Sequence, residues 1–458
     1  MITILFEATL IGLVNSTRER RGIYFVTVNL LRELMKRRDI NLVLYYHPDL
    51  VKSSEQFKKN FAESFPNQNM PLLINELGKW DDQCEINCIF NTWCWTPDFF
   101  QDLKIKKFIT IYDMMPYMVP GYEDFLNYEN WFAKVTRSIN TKDFYFTDSV
   151  SAKNDIAKFF PFVNKNKIFP IPLAPNLPDL KPAPVDQRAT FLQELSLKET
   201  DKYIFSLCSL EKRKNLIINI KAFVKFIGSN NLTNFYYIIG GEKWNNFHEE
   251  IFATARENTS FSKFIKFIGY IPDSKLRFFY SYSEWFTYTS HYEGFGLPPL
   301  EAMMCGAPVI VSNTSSLPEV VGDAGILIPY GSIIAHVEAY EKIWKDPEFR
   351  KRLVAKSLER AKSFSWYKTV DALLNVIRQN LSKDDFIHSE EVKLRILNHV
   401  KKFEIDHGIG KDKTTSTDLL LIARELENLR KSRSWRFTKP LRAIAHRCRQ
   451  LRSFLKTL

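Results

Sequence analysis

The stretch Thr289–Asn313 reads TSHYEGFGLPPLEAMMCGAPVIVSN. An apolar strand-like run, WFTYTS, leads into a Gly-Phe-Gly turn and then into PPLEAMMCG, a helical segment. Pro298 or Pro299 suits the first helical position and Gly306 the stop. PVIVSN then reads as the next strand. The EGFGL loop therefore feeds a helix N-terminus, whose exposed N–H groups favour an anion or a sugar hydroxyl. Glycines at 294 and 296 let a ligand approach the backbone. Glu301 is expected in the first helical turn facing that site, and Glu293 at the strand end. Two acceptors on one site suit a polyhydroxylated ligand. The plainer alternative has Glu301 complementing the helix dipole and Glu293 as a solvated loop residue. GFGLPP also begins like a dinucleotide fingerprint, but the third glycine is missing.

Outward from that stretch, strand and helix patterns alternate. YIFSLCSL, NLIINIKAFVKFIG, NFYYIIGG, FIKFIGYIP and KLRFFYSYS precede it. Upstream, ITILFEATLIG, an Ile23–Lys36 helix with Val26, Leu30 and Leu34 on one face, NLVLYY, KKFITIYDMMP and DFYFTDSVSAKNDIAKFF repeat the alternation. The fold class is α/β, with two doubly wound Rossmann-like units facing a cleft. A Pro-rich break at Pro170–Gln187 separates them. The expected domains are 1–180, 181–380 and, for a linker and basic amphipathic helical tail, 381–458, with the polar stretch KFEIDHGIGKDKTTSTD as a flexible connection.

The 458 residues suit two or three units, and no apolar run approaches the roughly 20 residues of a membrane span. The N-terminus lacks a basic region, and Glu7 interrupts its apolar stretch, so it reads as a buried strand and not as a signal peptide. Of 64 Lys and Arg, ten lie in Arg430–Leu458, which has no acidic residue, so the other 54 face 52 Asp and Glu. A basic tail on a near-neutral body points to an anionic surface. The six cysteines show no CxxC spacing and no accompanying histidine cluster, which sets aside zinc and a disulfide framework and favours a reducing compartment. No Asp-x-Asp pair is present to bridge a metal to a diphosphate.

The two glutamates around GFGLPPLEAM, followed by GAPVIVSNTSSLPEVVGDAGILI, resemble the family 4 retaining glycosyltransferases of the GT-B fold. SLEKRKNLIINIKAF, YYIIGGEKWN, IKFIGYIPDSKLRFFYS, ITIYDMMPYMVP and TDSVSAKNDI occur in the order that family uses. The resemblance covers about Met1 to Gln379 and extends to similarity with bacterial surface-polysaccharide mannosyltransferases. It implies that Lys214, with Arg213 beside it, contacts the donor diphosphate. Glu301 grips the ribose, and Glu293 attends the donor sugar. Phe295, Gly296 and Leu297 offer backbone N–H groups, and Gly22 approaches the donor phosphate from across the cleft. Loops around Gly269 and Tyr270 shape the base pocket. Asp113 follows Tyr112 where the family often has His-Asp, so it either orients or deprotonates an acceptor hydroxyl or caps the following turn.

The implied reaction is metal-independent, stereochemically retaining hexosyl transfer from a nucleotide sugar, GDP-mannose being preferred to a UDP-sugar, without a further cofactor. The acceptor is a glycan, lipid-linked, in O-antigen or capsule-type surface polysaccharide. The tail segment KSRSWRFTKPLR, with Trp435, Phe437 and Leu441 among Arg433, Arg436 and Arg442, resembles a Trp-Arg-rich appendage of such enzymes. It suggests peripheral attachment to the inner face of the cell membrane. RELENLRK leaves open oligomerisation or a partner enzyme; nucleic acid is disfavoured. The alternatives are a UDP-glucose or UDP-N-acetylglucosamine transferase of the same fold, a UDP-N-acetylglucosamine epimerase, and an inactive membrane-recruited scaffold with a nucleotide cleft.

Overall fold

In a computed structural model, residues 1–13, 22–51, 53–75, 84–92, 96–120, 135, 138–177, 179–243, 247–257 and 260–407 are described. The basic tail, with Arg433, Trp435, Arg436, Phe437, Leu441 and Arg442, lies outside them.

The first sheet is parallel and built from β1 (Ile2–Glu7), β2 (Ile40–Tyr45), β3 (Leu72–Leu73), β5 (Cys88–Asn91), β6 (Lys106–Thr110), β7 (Phe144–Thr147) and β8 (Ile168–Pro170), in the order β3-β2-β1-β5-β6-β7-β8. β4 (Glu85–Ile86) stands apart from it. The second sheet joins β9 (Lys202–Leu207), β10 (Phe235–Gly240), β11 (Ile265–Gly269), β12 (Phe286–Tyr288), β13 (Val309–Ser312) and β14 (Ile326–Ile328), in the order β11-β10-β9-β12-β13-β14. The central strands β1, β5, β6 and β7 and, in the second sheet, β9, β12 and β13 have buried middle residues, as expected where helices cover both faces of a parallel sheet, whereas the edge strands β11 and β14 are partly open. Val26, Leu30 and Leu34 on the Gly22–Leu34 helix are all buried against the first sheet's core.

Strand order reverses between β1 and β5 in the first sheet and between β9 and β12 in the second. Such reversals open a crevice at the carboxyl ends of the strands. Helix Trp366–Asn380 crosses back to the first unit: Trp366 Nε1 donates to the Pro175 carbonyl at 2.9 Å, and Thr369 Oγ1 to that of Pro172 at 2.7 Å.

Residues 387–407 differ from the linker reading. β15 (Ile387–His388) pairs antiparallel with β4, and helix Ser389–His407 lays Val392 and Ile396 into a second core cluster with Leu5, Tyr45 and Phe100. The helix thus runs into the polar stretch expected to be a flexible connection. Its apolar residues Val392 and Ile396 are spaced four apart, which puts them on one face.

Candidate functional site

The RKN turn follows β9 and the EGFG loop follows β12, so strand adjacency brings them together at the reversal point. Lys214 Nζ lies 2.6 Å from Glu293 Oε1 and donates to Tyr288 Oη at 2.8 Å. Arg213 Nη1 lies 2.8 Å from Glu293 Oε2, and its Nη2 lies 2.8 Å from Glu211 Oε1. Burial by itself raises the Glu293 carboxyl, but Arg213 and then Lys214 outweigh it and hold it down at about 2. Burial also opposes the charge on Arg213, yet Glu293 and Glu211 keep its pKa well above the ordinary value. Glu293 is therefore the counter-ion of Arg213 and Lys214, not a solvated loop residue. The left-handed Asn215 (φ 60°) starts the next helix and aims this turn.

Glu301 departs from its expected place. The helix begins at Leu297 with Gly296 as its cap, so Glu301 sits in the second turn and is only 3% exposed. Its Oε1 accepts from the Asn176 N–H at 3.3 Å, and its Oε2 from Tyr280 Oη at 3.1 Å. Burial pushes the carboxyl up to about 7, against the opposing effect of those two hydrogen bonds. A dipole-complementing residue would not be so deeply placed.

Gly294 also reads differently. A Cβ there would stand 2.8 Å from Asp148 Oδ2, 3.0 Å from the Tyr112 carbonyl and 3.1 Å from Asp113 Cβ, so its bareness admits the close approach of the first domain. Gly296 adopts φ +110°, which itself favours glycine. The carbonyls of Glu293 and Phe295 accept from Ser316 Oγ at 3.0 and 2.7 Å, and that of Gly294 from Ser149 Oγ at 2.7 Å. The loop's acceptors are thus used by protein. Phe295 is buried with its ring against Phe364, and Leu297 is the first residue of the helix.

Asp113 follows β6 and comes beside Gly294. Its Oδ1 accepts from Met115 N–H at 3.0 Å, the turn-capping role, and burial raises its carboxyl. Tyr112, in the family's histidine position, turns its hydroxyl to the Thr92 carbonyl at 2.9 Å. Gly22 begins its helix exposed, with nothing within 4 Å of an added Cβ. Gly269 and Tyr270 lie at the end of β11, with β10 and β9 between that strand and β12, so they stand apart from the Glu293 cluster. Gly269 has φ +69°, and Tyr270 is exposed.

Several participants carried no sequence signal of their own. Asp148, after β7, is buried and its carboxyl is raised well above the ordinary range, first by burial and then by Asp113. Glu319 takes the N–H groups of Val150 and Ser151 at 2.8 and 2.7 Å, joining the two domains at a helix N-terminus. Tyr292 Oη donates to Asp155 Oδ2 at 2.8 Å and accepts from Met114 N–H at 3.2 Å. Ser151, Asp155, His291, Tyr292, Thr314 and Ser315 border a cavity of about 310 Å³ next to Glu293, within the size range of small-ligand sites. Only the TDSVSA and SNTSSLPE matches hinted at Asp148 and Glu319.

Residues 187–360 match the family described as glycosyl transferases group 1. The chain is 27% identical over 285 residues to O-antigen chain mannosyltransferase B of Escherichia coli, covering 62% of this chain and 73% of that protein. It is 33% identical over 190 residues to serotype-specific mannosyltransferase WbdA of Escherichia coli, covering 41% of this chain but 23% of that protein. A glycosyltransferase of Rickettsia africae ESF-5 shares the fold at TM-score 0.60 and 14% identity, over 82% of this chain and 98% of that one. The chain thus has the GT-B fold, its residues 187–360 match the group 1 glycosyl transferase model, and it is similar over part of its length to bacterial surface-polysaccharide mannosyltransferases.

Proposed function

We propose that the protein transfers a hexose, mannose in preference to glucose or N-acetylglucosamine, from a nucleotide sugar to a lipid-linked glycan during surface-polysaccharide synthesis. The reaction proceeds with retention and without a metal. GDP-mannose is the preferred donor, and the mannosyltransferase relatives support that choice.

The observation that carries the reading is the buried Lys214–Glu293–Arg213 cluster at the strand reversal. Fixed cations there can stabilise a leaving diphosphate with little reorganisation. Glu301 lies on the helix that follows the same loop, as an acceptor for ribose hydroxyls. Asp113 stands at the first domain's side, where an acceptor hydroxyl would be oriented. Gly22 enters the reading as a donor-phosphate position, and Gly269 and Tyr270 as shaping a base pocket away from the Glu293 cluster. Among the described residues no helix is long and apolar enough to cross a membrane. The Arg430–Leu458 segment is the proposed contact with anionic lipid at the inner membrane face, and a homo-oligomer or partner enzyme is its second use.

Calorimetric titration with GDP, UDP and ADP, with and without chelator, tests the donor. Chelator-insensitive binding of GDP alone supports the reading. Binding of UDP alone keeps the reaction class and overturns mannose. Turnover of GDP-mannose that survives in folded Lys214→Ala and Glu301→Ala variants would remove the assigned site, and absence of nucleotide binding would restore the scaffold alternative.

A further inference from the structure

His47, Asp49 and His399 meet although His399 is 350 residues from Asp49 in sequence, which is why no histidine cluster was visible there. His47 and Asp49 follow the end of β2, and His399 comes from the Ser389–His407 helix. His399 Nε2 lies 2.9 Å from both Asp49 carboxylate oxygens, and His47 Nδ1 lies 3.8 Å from Asp49 Oδ2. One ligand-capable atom from each residue falls within 4.8 Å of the others. None of the three belongs to the Glu293 or Glu301 cluster.

We propose that these three side chains bind a divalent transition-metal ion of the zinc class, which fastens the Ser389–His407 helix to the first domain. Zinc holds nitrogen and oxygen ligands at about 2.0–2.1 Å, so two ligand atoms at tetrahedral angles stand roughly 3.3 Å apart. The observed 2.9 and 3.8 Å separations bracket that spacing. The side chains are 16 to 24% exposed, so small rotations reach it and water can fill the remaining coordination position. Two imidazoles with one carboxylate favour zinc, iron, cobalt or nickel over magnesium or calcium, which prefer oxygen.

The orientation of the rings agrees with a shared ligand. The two imidazoles lie 5.7 Å apart at 88°, and the Phe99 ring packs beside both, 5.4 Å from His47 and 4.6 Å from His399. His47 Nδ1 accepts the Asp49 N–H at 3.4 Å, so this nitrogen is unprotonated, and a metal bound there would displace that long hydrogen bond. Binding would replace the His399–Asp49 hydrogen bond by two metal bonds and release the Nε2 proton or select the tautomer that lacks it.

The test uses the full chain stripped with EDTA and titrated with zinc chloride by calorimetry. Asp49→Asn, which keeps the shape, and His47→Gln and His399→Ala are compared, with circular dichroism confirming the fold. One equivalent should bind wild type, at least ~10-fold more tightly than any of the three variants. Zinc should also raise the thermal midpoint of wild type only, and cobalt should give visible ligand-field bands that the variants lose. Equal zinc affinity in wild type and variants would assign binding elsewhere, for example to cysteine thiols, and overturn the proposal. So would a variant effect on stability that is the same with zinc and with EDTA, since the triad would then be an ion pair alone.

Discussion

Glu301→Gln separates the charge of the buried carboxyl from its shape. In the folded protein that carboxyl titrates at about 7, against 4.5 for an unperturbed glutamate, because burial disfavours the anion. The folded state thus holds a proton that the unfolded chain releases between those values. Stability associated with Glu301 is fully present below pH 4.5 and is lost as pH rises through about 7. The interval corresponds to about 3 kcal/mol. Glutamine remains neutral; its oxygen can accept from Asn176 N–H while its amide NH2 donates to Tyr280 Oη. Urea denaturation from pH 4.5 to 8.5 should therefore show the stability of the variant relative to wild type rising by about 3 kcal/mol across that window. Asp113 and Asp148 have raised carboxyls too, but they are common to both proteins and cancel in the difference. The same titration links stability to the proposed ribose contact. If donor hydroxyls bind the ionised form, nucleotide binding at pH 7 should expel roughly half a proton from Glu301. Calorimetry in buffers of different ionisation enthalpy measures this, with Glu301→Gln subtracting protons released by the nucleotide itself. Parallel stability profiles for the two proteins would refute the burial argument, and equal proton release would refute the ribose contact.

Glu293→Gln should destabilise the fold by about 3–5 kcal/mol at pH 7, since Arg213 and Lys214 lose their shared anion in a buried site; denaturation midpoints report it. Because the wild-type carboxyl sits at about 2, its contribution is present above pH 4.5 and is lost as pH falls toward 2, and the variant should lack that limb of acid unfolding. Gly294→Ala should push Asp148 and Tyr112 away and lower turnover at least ~10-fold with both domains still folded, whereas Gly22→Ala should leave the melting temperature unchanged because its Cβ meets nothing within 4 Å. A turnover loss in Gly22→Ala would then report donor approach, and wild-type turnover in Gly294→Ala would refute the close-contact account. Glu319→Ala removes the acceptor of two interdomain N–H bonds, so small-angle scattering should record a larger radius of gyration, with an unchanged radius counting against a latch.

What could be read from the sequence follows how local each cause is. Strand ends, the RKN turn and the EGFG loop declare themselves through apolar runs, glycine and lysine within a few residues, and both loops lie on strands that prove adjacent. The pairing of Lys214 with Glu293 needs only that adjacency and the charges already visible. At Gly294 the missing side chain serves a ligand or a neighbouring domain equally well on sequence alone, and the domain contact becomes visible only through Asp148, Tyr112 and Asp113, all distant in the chain. Glu301 was set one turn too shallow because prolines at 298 and 299 mark a helix start without fixing which residue opens it, and its depth depends on Tyr280 from another helix. Asp148 has no signal beyond a motif match, since its raised carboxyl arises from burial and from Asp113, a distant residue in the chain. The helix over Ser389–His407 makes the same point from the other side. Its polar surface suggests a linker until the second core cluster, assembled from β1, β2 and Phe100, supplies the apolar partner for Val392 and Ile396. An isolated segment of that composition would have little reason to fold, so its order is a property of the first domain's surface as much as of its own residues. Truncating the first domain's partners, as in Phe100→Ala, should therefore release this helix to proteolysis before the second domain opens.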